Sequence, residues 1–138
     1  MKLNTSFRLL ALTALAAAVS CSSCKDDNDC IGGSGGSLTI VAKLEHHGIN
    51  IPNDSLRPDT VWVKYNASDW GNAPQGYDMQ VIGDFPEDHV HIEGLKCGKY
   101  YLYASGWDTS INMEVKGGIP YETDESSGEV VVKIPVVE

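Results

Sequence analysis

Two pairs of histidines have the residue types and spacing to bind a metal ion. His89 and His91 are separated by one residue, so in a β-strand both side chains lie on the same face, and His46 and His47 end another strand-like segment. Imidazole nitrogens, joined by carboxylates, are common ligands of zinc and other transition metals. Neither pair has a third ligand at a fixed local spacing, and four ordinary surface histidines explain the pattern as well. We therefore expect neither a bound metal nor another cofactor.

Three acidic residues before His89 could supply oxygen ligands to Ca²⁺. Asp84, Glu87 and Asp88 do not match the spaced D-x-D-x-D-G pattern of a calcium-binding loop. We interpret this segment as an acidic loop exposed to solvent.

Two short motifs match catalytic or redox patterns but do not have the surroundings that those patterns need. Residues 32–36, GGSGG, satisfy G-x-S-x-G, but a hydrolase nucleophile lies between a buried strand and a helix and has acid and histidine partners. Cys21 and Cys24 form a C-x-x-C pair without a second ligand pair for zinc. Because the sequence shows no convergent acid, base and nucleophile, we expect a protein that is not an enzyme.

Aromatic side chains are the better candidates for ligand binding. Flat rings suit sugar rings and peptides, and the loops of β-sandwiches commonly carry binding sites. Trp70 lies in a polar, glycine-containing loop at residues 67–76, where complete burial would be difficult. We expect ligand binding at Trp70, Tyr77 and Trp107; the alternative is that the tryptophans fill the core.

The first 20 residues have the order of a secretory signal peptide. Lys2 and Arg8 are followed by the apolar segment LLALTALAAAV at residues 9–19 and then by small residues. This segment is too short for a permanent membrane span, which takes roughly 20 residues. We expect residues 1–20 to be removed.

The end of this signal, AVSC at residues 18–21, resembles the bacterial lipobox. The resemblance implies that cleavage occurs before Cys21 and that the Cys21 thiol carries a diacylglyceryl group. Cys24 is the alternative lipidation site. The protein would then be attached to a membrane through its lipid anchor.

The run KDDND at residues 25–29 resembles the acidic export signal that follows the lipidated cysteine in surface lipoproteins of the Bacteroidetes. The resemblance implies an outer-membrane protein displayed on the cell surface. An acidic solvated linker, with the domain facing the periplasm, is the alternative.

Charge and length restrict the possible partners. The 138 residues suffice for one domain, and their formal charge of −9 becomes −11 when residues 1–20, which hold two basic residues, are removed. A surface of this charge repels the phosphates of nucleic acids. We therefore expect no nucleic-acid partner.

Cys30 and Cys97 are the two cysteines outside the processing region. An exported protein can oxidise such a pair, and the disulfide would join the tail to a corner between strands. Cys30 lies in the tail, however, and Cys24 competes as its partner, so the sequence leaves the pairing open.

Residues 37–138 show the alternation of apolar and polar positions that is typical of half-buried strands. The first strand is predicted at residues 38–44, where alternate residues are apolar. Six more are predicted at residues 60–66, 77–83, 89–93, 99–106, 112–116 and 129–136. Seven strands that each need one face covered predict an all-β, antiparallel, Greek-key sandwich.

The stretch IEGLKCGKYYL at residues 92–102 resembles the strand-turn-strand motif G-L-x-P-G-x-Y of transthyretin-like (prealbumin-like) domains, including carboxypeptidase regulatory-like and Cna-B-type modules. We expect Gly98 to take a positive φ at the corner, Leu95 to pack beneath it and Tyr100 to face the core. Cys97 stands where the family usually has proline. The resemblance implies an accessory or adhesive module without catalytic residues.

The sequence therefore predicts three regions: a signal peptide at residues 1–20, a lipidated acidic and Gly-Ser tether at residues 21–36, and a β-sandwich at residues 37–138. The predicted function is that of a non-enzymatic surface lipoprotein whose sandwich is a binding or accessory module for protein or glycan. The alternative is a structural adhesin or spacer subunit that assembles through its strand edges.

Overall fold

The computed structural model describes residues 30–71 and 74–138. Over these residues the chain is all-β, and we find no helix long and apolar enough to cross a membrane. The predicted signal peptide, the lipidation sites Cys21 and Cys24 and the acidic run all lie outside the described residues. The strands are β1 (Ser34–His46), β2 (Ile49–Asn50), β3 (Thr60–Tyr65), β4 (Met79–Ile82), β5 (Val90–Leu95), β6 (Gly98–Asp108), β7 (Met113–Thr123) and β8 (Ser127–Val136).

The strands form two four-stranded sheets. In the first sheet β1 pairs antiparallel with β5 and β2 and parallel with β8, and the second sheet has the antiparallel order β4-β3-β6-β7. The all-β prediction is confirmed, and the two sheets are consistent with a sandwich. The parallel pair corrects the all-antiparallel prediction, because alternation along one strand does not show the direction of its neighbour. Strand β2 is too short for its pattern to be detected.

The core lies between the two sheets and takes side chains from both. Every second residue of β6 faces inward, and in β1 the inward residues pair with those of β5 and β8. The largest fully buried side chains are Leu38, Ile40, Leu44, Val61, Val63, Val90, Ile92, Leu95, Tyr100, Leu102, Val115 and Ile134. The alternate faces of these strands are therefore free to carry other side chains to the surface.

The glycine-rich segment at residues 32–36 belongs to the folded domain and is not the flexible tether predicted from its composition. Gly32 is buried, and its N–H donates to Asn66 Oδ1 at 2.8 Å while Asn66 Nδ2 donates to the Gly32 carbonyl oxygen at 3.0 Å. A Cβ on Gly36 would overlap the Leu95 carbonyl group. The glycines permit this close approach of two backbones, and the domain boundary predicted at residue 37 lies too late.

The corner between β5 and β6 has the conformation predicted from its motif. Gly98 has a φ of 139°, and Leu95 and Tyr100 are fully buried. Tyr100 Oη donates to the Lys96 carbonyl oxygen at 2.6 Å and accepts the Gly33 N–H at 3.0 Å. One hydroxyl group thus fixes both the corner and the entering chain.

A disulfide joins Cys30 to Cys97 at this corner, with the two Cα atoms 5.0 Å apart. A Cβ on Gly98 would overlap the backbone of Gly32, so the entering segment lies directly on the corner. The disulfide and the packed glycines hold residues 30–36 against this corner.

Candidate functional site

The outer face of the second sheet carries a row of aromatic side chains. Along β6 the residues between the buried positions point outward, and they include Tyr101, Tyr103 and Trp107. Trp62 of β3 lies opposite Tyr103 in the strand register, with their ring centroids 5.9 Å apart. We call Trp62, Tyr101, Tyr103 and Trp107 the aromatic face.

Trp70 lies against this face and is only 8% exposed. Its ring is 6.2 Å from Tyr101 and 6.2 Å from Tyr103, and its Nε1–H donates to the Gln75 carbonyl oxygen. The prediction that Trp70 is an open ligand-binding residue is therefore wrong. The tyrosines of β6 supply an apolar surface that covers the indole, and the local composition of the loop gives no sign of this contact.

Trp62 and Trp107 line a groove of about 400 Å³ at one end of the sheet. The Arg57 guanidinium lies over the Trp107 ring, with Cζ 3.5 Å from the ring centroid. We call this pocket the aromatic groove. It is lined by Arg57, Pro58, Thr60, Trp62, Ser105, Gly106, Trp107 and Glu114.

The aromatic groove contains a positively charged side chain, Arg57, and a negatively charged one, Glu114. Glu114 accepts a hydrogen bond from Ser105 Oγ at 2.9 Å and lies 3.4 Å from Lys116 Nζ, and these contacts, the first of them most, hold the pKa of Glu114 below its usual value. Trp107 Nε1 is buried without a partner among the described residues. Because Arg57 covers one face of the Trp107 ring, the groove offers a ligand the Trp62 ring, a carboxylate and a guanidinium.

Tyr77 is 45% exposed but is not among the residues that line the aromatic groove. Of the three predicted ligand-binding residues, only Trp107 lies there. Trp62 and Glu114 could not be assigned to the site from the sequence, because the strand register brings these distant positions together. Arg57 joins them from the loop before β3, through its contact with Trp107.

His46 is held between two carboxylates at the end of β1. Its Nδ1 lies 2.8 Å from Asp108 Oδ2 and its Nε2 lies 2.8 Å from Glu138 Oε2, and these contacts raise the pKa of His46. The Ser110 hydroxyl and His46 together lower the pKa of Asp108 to about 2. Both imidazole nitrogens thus face carboxylate oxygens, which can only accept hydrogen bonds. With His47 this group lines a cleft of about 310 Å³.

The cleft beside His46 does not have the geometry of a catalytic triad. The Ser110 hydroxyl donates to Asp108 at 2.6 Å, and the partners of His46 are both carboxylates. No serine or cysteine is hydrogen-bonded to an imidazole within the described ranges 30–71 and 74–138. The contacts of His46 are those of an ion pair that joins strand ends.

The other histidine pair has a third potential ligand beside it. His89 Nε2 and His91 Nε2 are 2.8 Å apart, and Glu87 Oε2 lies 3.7 Å from the first and 3.9 Å from the second. The sequence shows the histidine spacing, but Glu87 belongs to the turn before β5 and its direction depends on the fold.

No protein-family model, no curated protein and no solved structure matches this chain.

Proposed function

We propose that this protein is a lipid-anchored envelope protein whose β-sandwich is a non-enzymatic carbohydrate-binding module. The observation that carries the proposal is the pair of tryptophans, Trp62 and Trp107, on the outer face of a sheet and beside a carboxylate and a guanidinium. The ligand class is a glycan, recognised in the aromatic groove.

The chemistry of the groove suits a sugar ring. The C–H face of a pyranose is apolar and flat enough to lie on an indole, while its hydroxyl groups need donors and acceptors at the rim. Glu114 and Ser105 are hydrogen-bonded to each other at 2.9 Å, and Arg57 is fixed on Trp107, so these groups are positioned before a ligand arrives. Preorganised polar groups reduce the entropic cost of binding.

The position of the groove also supports an anchored binding module. Strand β6 has 11 residues, so its two ends are roughly 30 Å apart at about 3.3 Å per residue. Cys30 is attached to the corner where β6 begins, whereas Trp107 lies near the other end of the strand. With a lipid at Cys21 or Cys24, a short tether would hold the corner near the membrane and the groove away from it.

Binding to soluble polysaccharides and to a glycan array tests this proposal. We expect Trp107→Ala and Trp62→Ala to reduce binding by about tenfold, which corresponds to about 1.4 kcal/mol and is typical of a central aromatic contact. Phe85→Ala is the matched control, because Phe85 is 63% exposed and lies outside the groove. Equal loss with Phe85→Ala, or no glycan retained by the wild type, would contradict the proposal.

The anchor is tested separately by labelling cells with a radioactive fatty acid. We expect incorporation that disappears when Cys21 and Cys24 are both replaced by serine. A protein that takes up no label with both cysteines intact would exclude the lipid anchor but not the groove.

A further inference from the structure

Glu87, His89 and His91 form a group of three side chains at the start of β5, which we call the histidine cluster. His89 and His91 lie on the outer face of the first sheet, on either side of the buried Val90. Their side chains are 22% and 36% exposed, so an ion could reach them from solvent. The three ligand atoms are His89 Nε2, His91 Nε2 and Glu87 Oε2.

The spacing of these atoms is close to that of a tetrahedral metal site. Two zinc ligands at about 2.0–2.1 Å from the ion are about 3.3 Å apart in a tetrahedron. The observed separations are 2.8 Å between the two nitrogens and 3.7 Å and 3.9 Å from the carboxylate oxygen to them. Movements of about half an ångström at the ends of the side chains would bring all three to that distance.

The tautomer of His89 is set by a neighbouring carboxylate. Asp88 Oδ1 lies 2.7 Å from His89 Nδ1, and a carboxylate can only accept, so Nδ1 carries the proton. In the neutral ring the lone pair is then on Nε2, which accepts the Nε2–H of His91 at 2.8 Å. An ion bound between the two nitrogens would take the place of that proton. A carboxylate behind a histidine is the usual outer partner of a histidine ligand of zinc.

Further contacts hold Asp88 and the backbone beside it. Asp88 Oδ2 accepts hydrogen bonds from Lys43 Nζ and Asn50 Nδ2, both at 3.0 Å. The buried Asn53 side chain donates to the carbonyl oxygens of Glu87 at 3.1 Å and His89 at 3.0 Å. These bonds fix two of the three cluster residues before any ion binds.

From this geometry we propose that the histidine cluster is a binding site for a divalent transition-metal ion of the zinc type, independent of the aromatic groove. Two imidazoles and one carboxylate are a donor set of intermediate hardness, which suits Zn²⁺, Ni²⁺ or Cu²⁺ better than Ca²⁺ or Mg²⁺. Three protein ligands leave a coordination position for water or for a ligand group. The other group of potential ligands, His46, His47 and Glu138, differs because His46 is hydrogen-bonded to carboxylates through both of its nitrogens.

Titration calorimetry with Zn²⁺, on the purified chain without a histidine tag and after treatment with a chelator, tests this inference. We expect one ion per chain. Asp88→Asn should weaken binding by roughly 10- to 100-fold, the usual cost of losing an outer partner, and His89→Ala or His91→Ala should weaken it more. His47→Ala tests the other group of potential ligands, His46, His47 and Glu138, and should leave zinc binding unchanged.

Nitrogen-15 chemical shifts of the imidazoles give a second measurement that does not depend on the variants. Zinc should move the Nε2 signals of His89 and His91 and leave that of His47 in place. Binding that His89→Ala and His91→Ala do not weaken, or shifts spread equally over the exposed histidines, would overturn the proposal.

Discussion

Asp59 is fully buried, and neither of its carboxylate oxygens has a hydrogen-bond partner among the described residues. Gly106 leaves the space for this carboxyl group, since a Cβ there would overlap Asp59 Oδ1. Burial raises the pKa of Asp59 from 3.8 to about 7. Between these two values the folded protein holds a proton that the unfolded chain has lost, so the free energy of unfolding falls as the pH rises from about 4 to 7.

Asp59→Asn should therefore remove this pH dependence. The asparagine carries no charge at any pH, so the variant should lack the decrease in the free energy of unfolding that the wild type shows between pH 4.5 and pH 8. At pH 8 the variant should be more stable than the wild type. Urea denaturation at several pH values measures the effect. Asp124→Asn, at an exposed position, is the control; a variant of Asp59 that keeps the wild-type slope would show that another group titrates.

Tyr100→Phe should destabilise the protein by about 1–3 kcal/mol, because it leaves the Lys96 carbonyl group and the Gly33 N–H without their partner. The ring itself stays, so the packing of the core is preserved. Tyr101→Phe, on the aromatic face, is the matched control and should change stability little. A Tyr100 variant as stable as that control would show that the hydroxyl does not hold the corner.

At the scale of the elements, most strands could be predicted from alternation, and the errors have physical causes. Strand β7 runs from Met113 to Thr123, well beyond the predicted residues 112–116. The apolar pattern is interrupted by Gly117, Gly118 and Pro120. Gly118 leaves space for the Tyr101 ring, because a Cβ on Gly118 would lie 2.8 Å from that ring. A glycine that makes room for a neighbour cannot be distinguished in sequence from one in a turn.

The same limit applies to the candidate site. Trp107 could be predicted because aromatic residues are frequent in binding sites. Glu114 is recognised only through the register of β6 and β7, which places it opposite Trp107, and Arg57 only through its contact with the Trp107 ring. Trp70 is the reverse case. Its burial depends on tyrosines that are distant in sequence, whereas the polar composition of its loop predicts exposure.

The edge strands of the two sheets are where the alternative function, a structural adhesin that assembles through its strands, would require contacts between molecules. β7 and β8 are the long edge strands, and each contains a proline, Pro120 and Pro135. Proline cannot donate to an added strand, and it protects edges in many sheets. The remaining edge strands, β2, β4 and β5, have two, four and six residues.

We therefore expect the unlipidated protein, with serine at residues 21 and 24, to sediment as a monomer without ligand. Analytical ultracentrifugation over a wide concentration range measures this. Polymers that grow with concentration, and that a charged substitution at the exposed Val131 of β8 prevents, would instead favour the structural adhesin.

At the scale of the whole molecule, the disulfide determines how the entering chain is attached to the domain. Cys30 and Cys97 are 67 residues apart in sequence, so their bond removes much of the freedom of the unfolded chain. Loop-closure entropy for a loop of this length corresponds to about 4 kcal/mol, with wide variation between proteins. The segment between the bond and β1 is also hydrogen-bonded, through Gly32 and Gly33, to the loop after β3 and to Tyr100.

Replacing both cysteines by alanine should lower the free energy of unfolding by about 2–4 kcal/mol. Residues 30–33 should then exchange their amide protons faster than the strands of the core, since only the hydrogen bonds of Gly32 and Gly33 would still hold this segment. Urea denaturation and hydrogen exchange measure the two effects, and wild type treated with a reductant should behave as the double variant does. Unchanged stability combined with unchanged exchange at Gly32 would mean that the packed glycines, and not the disulfide, attach the entering chain to the corner.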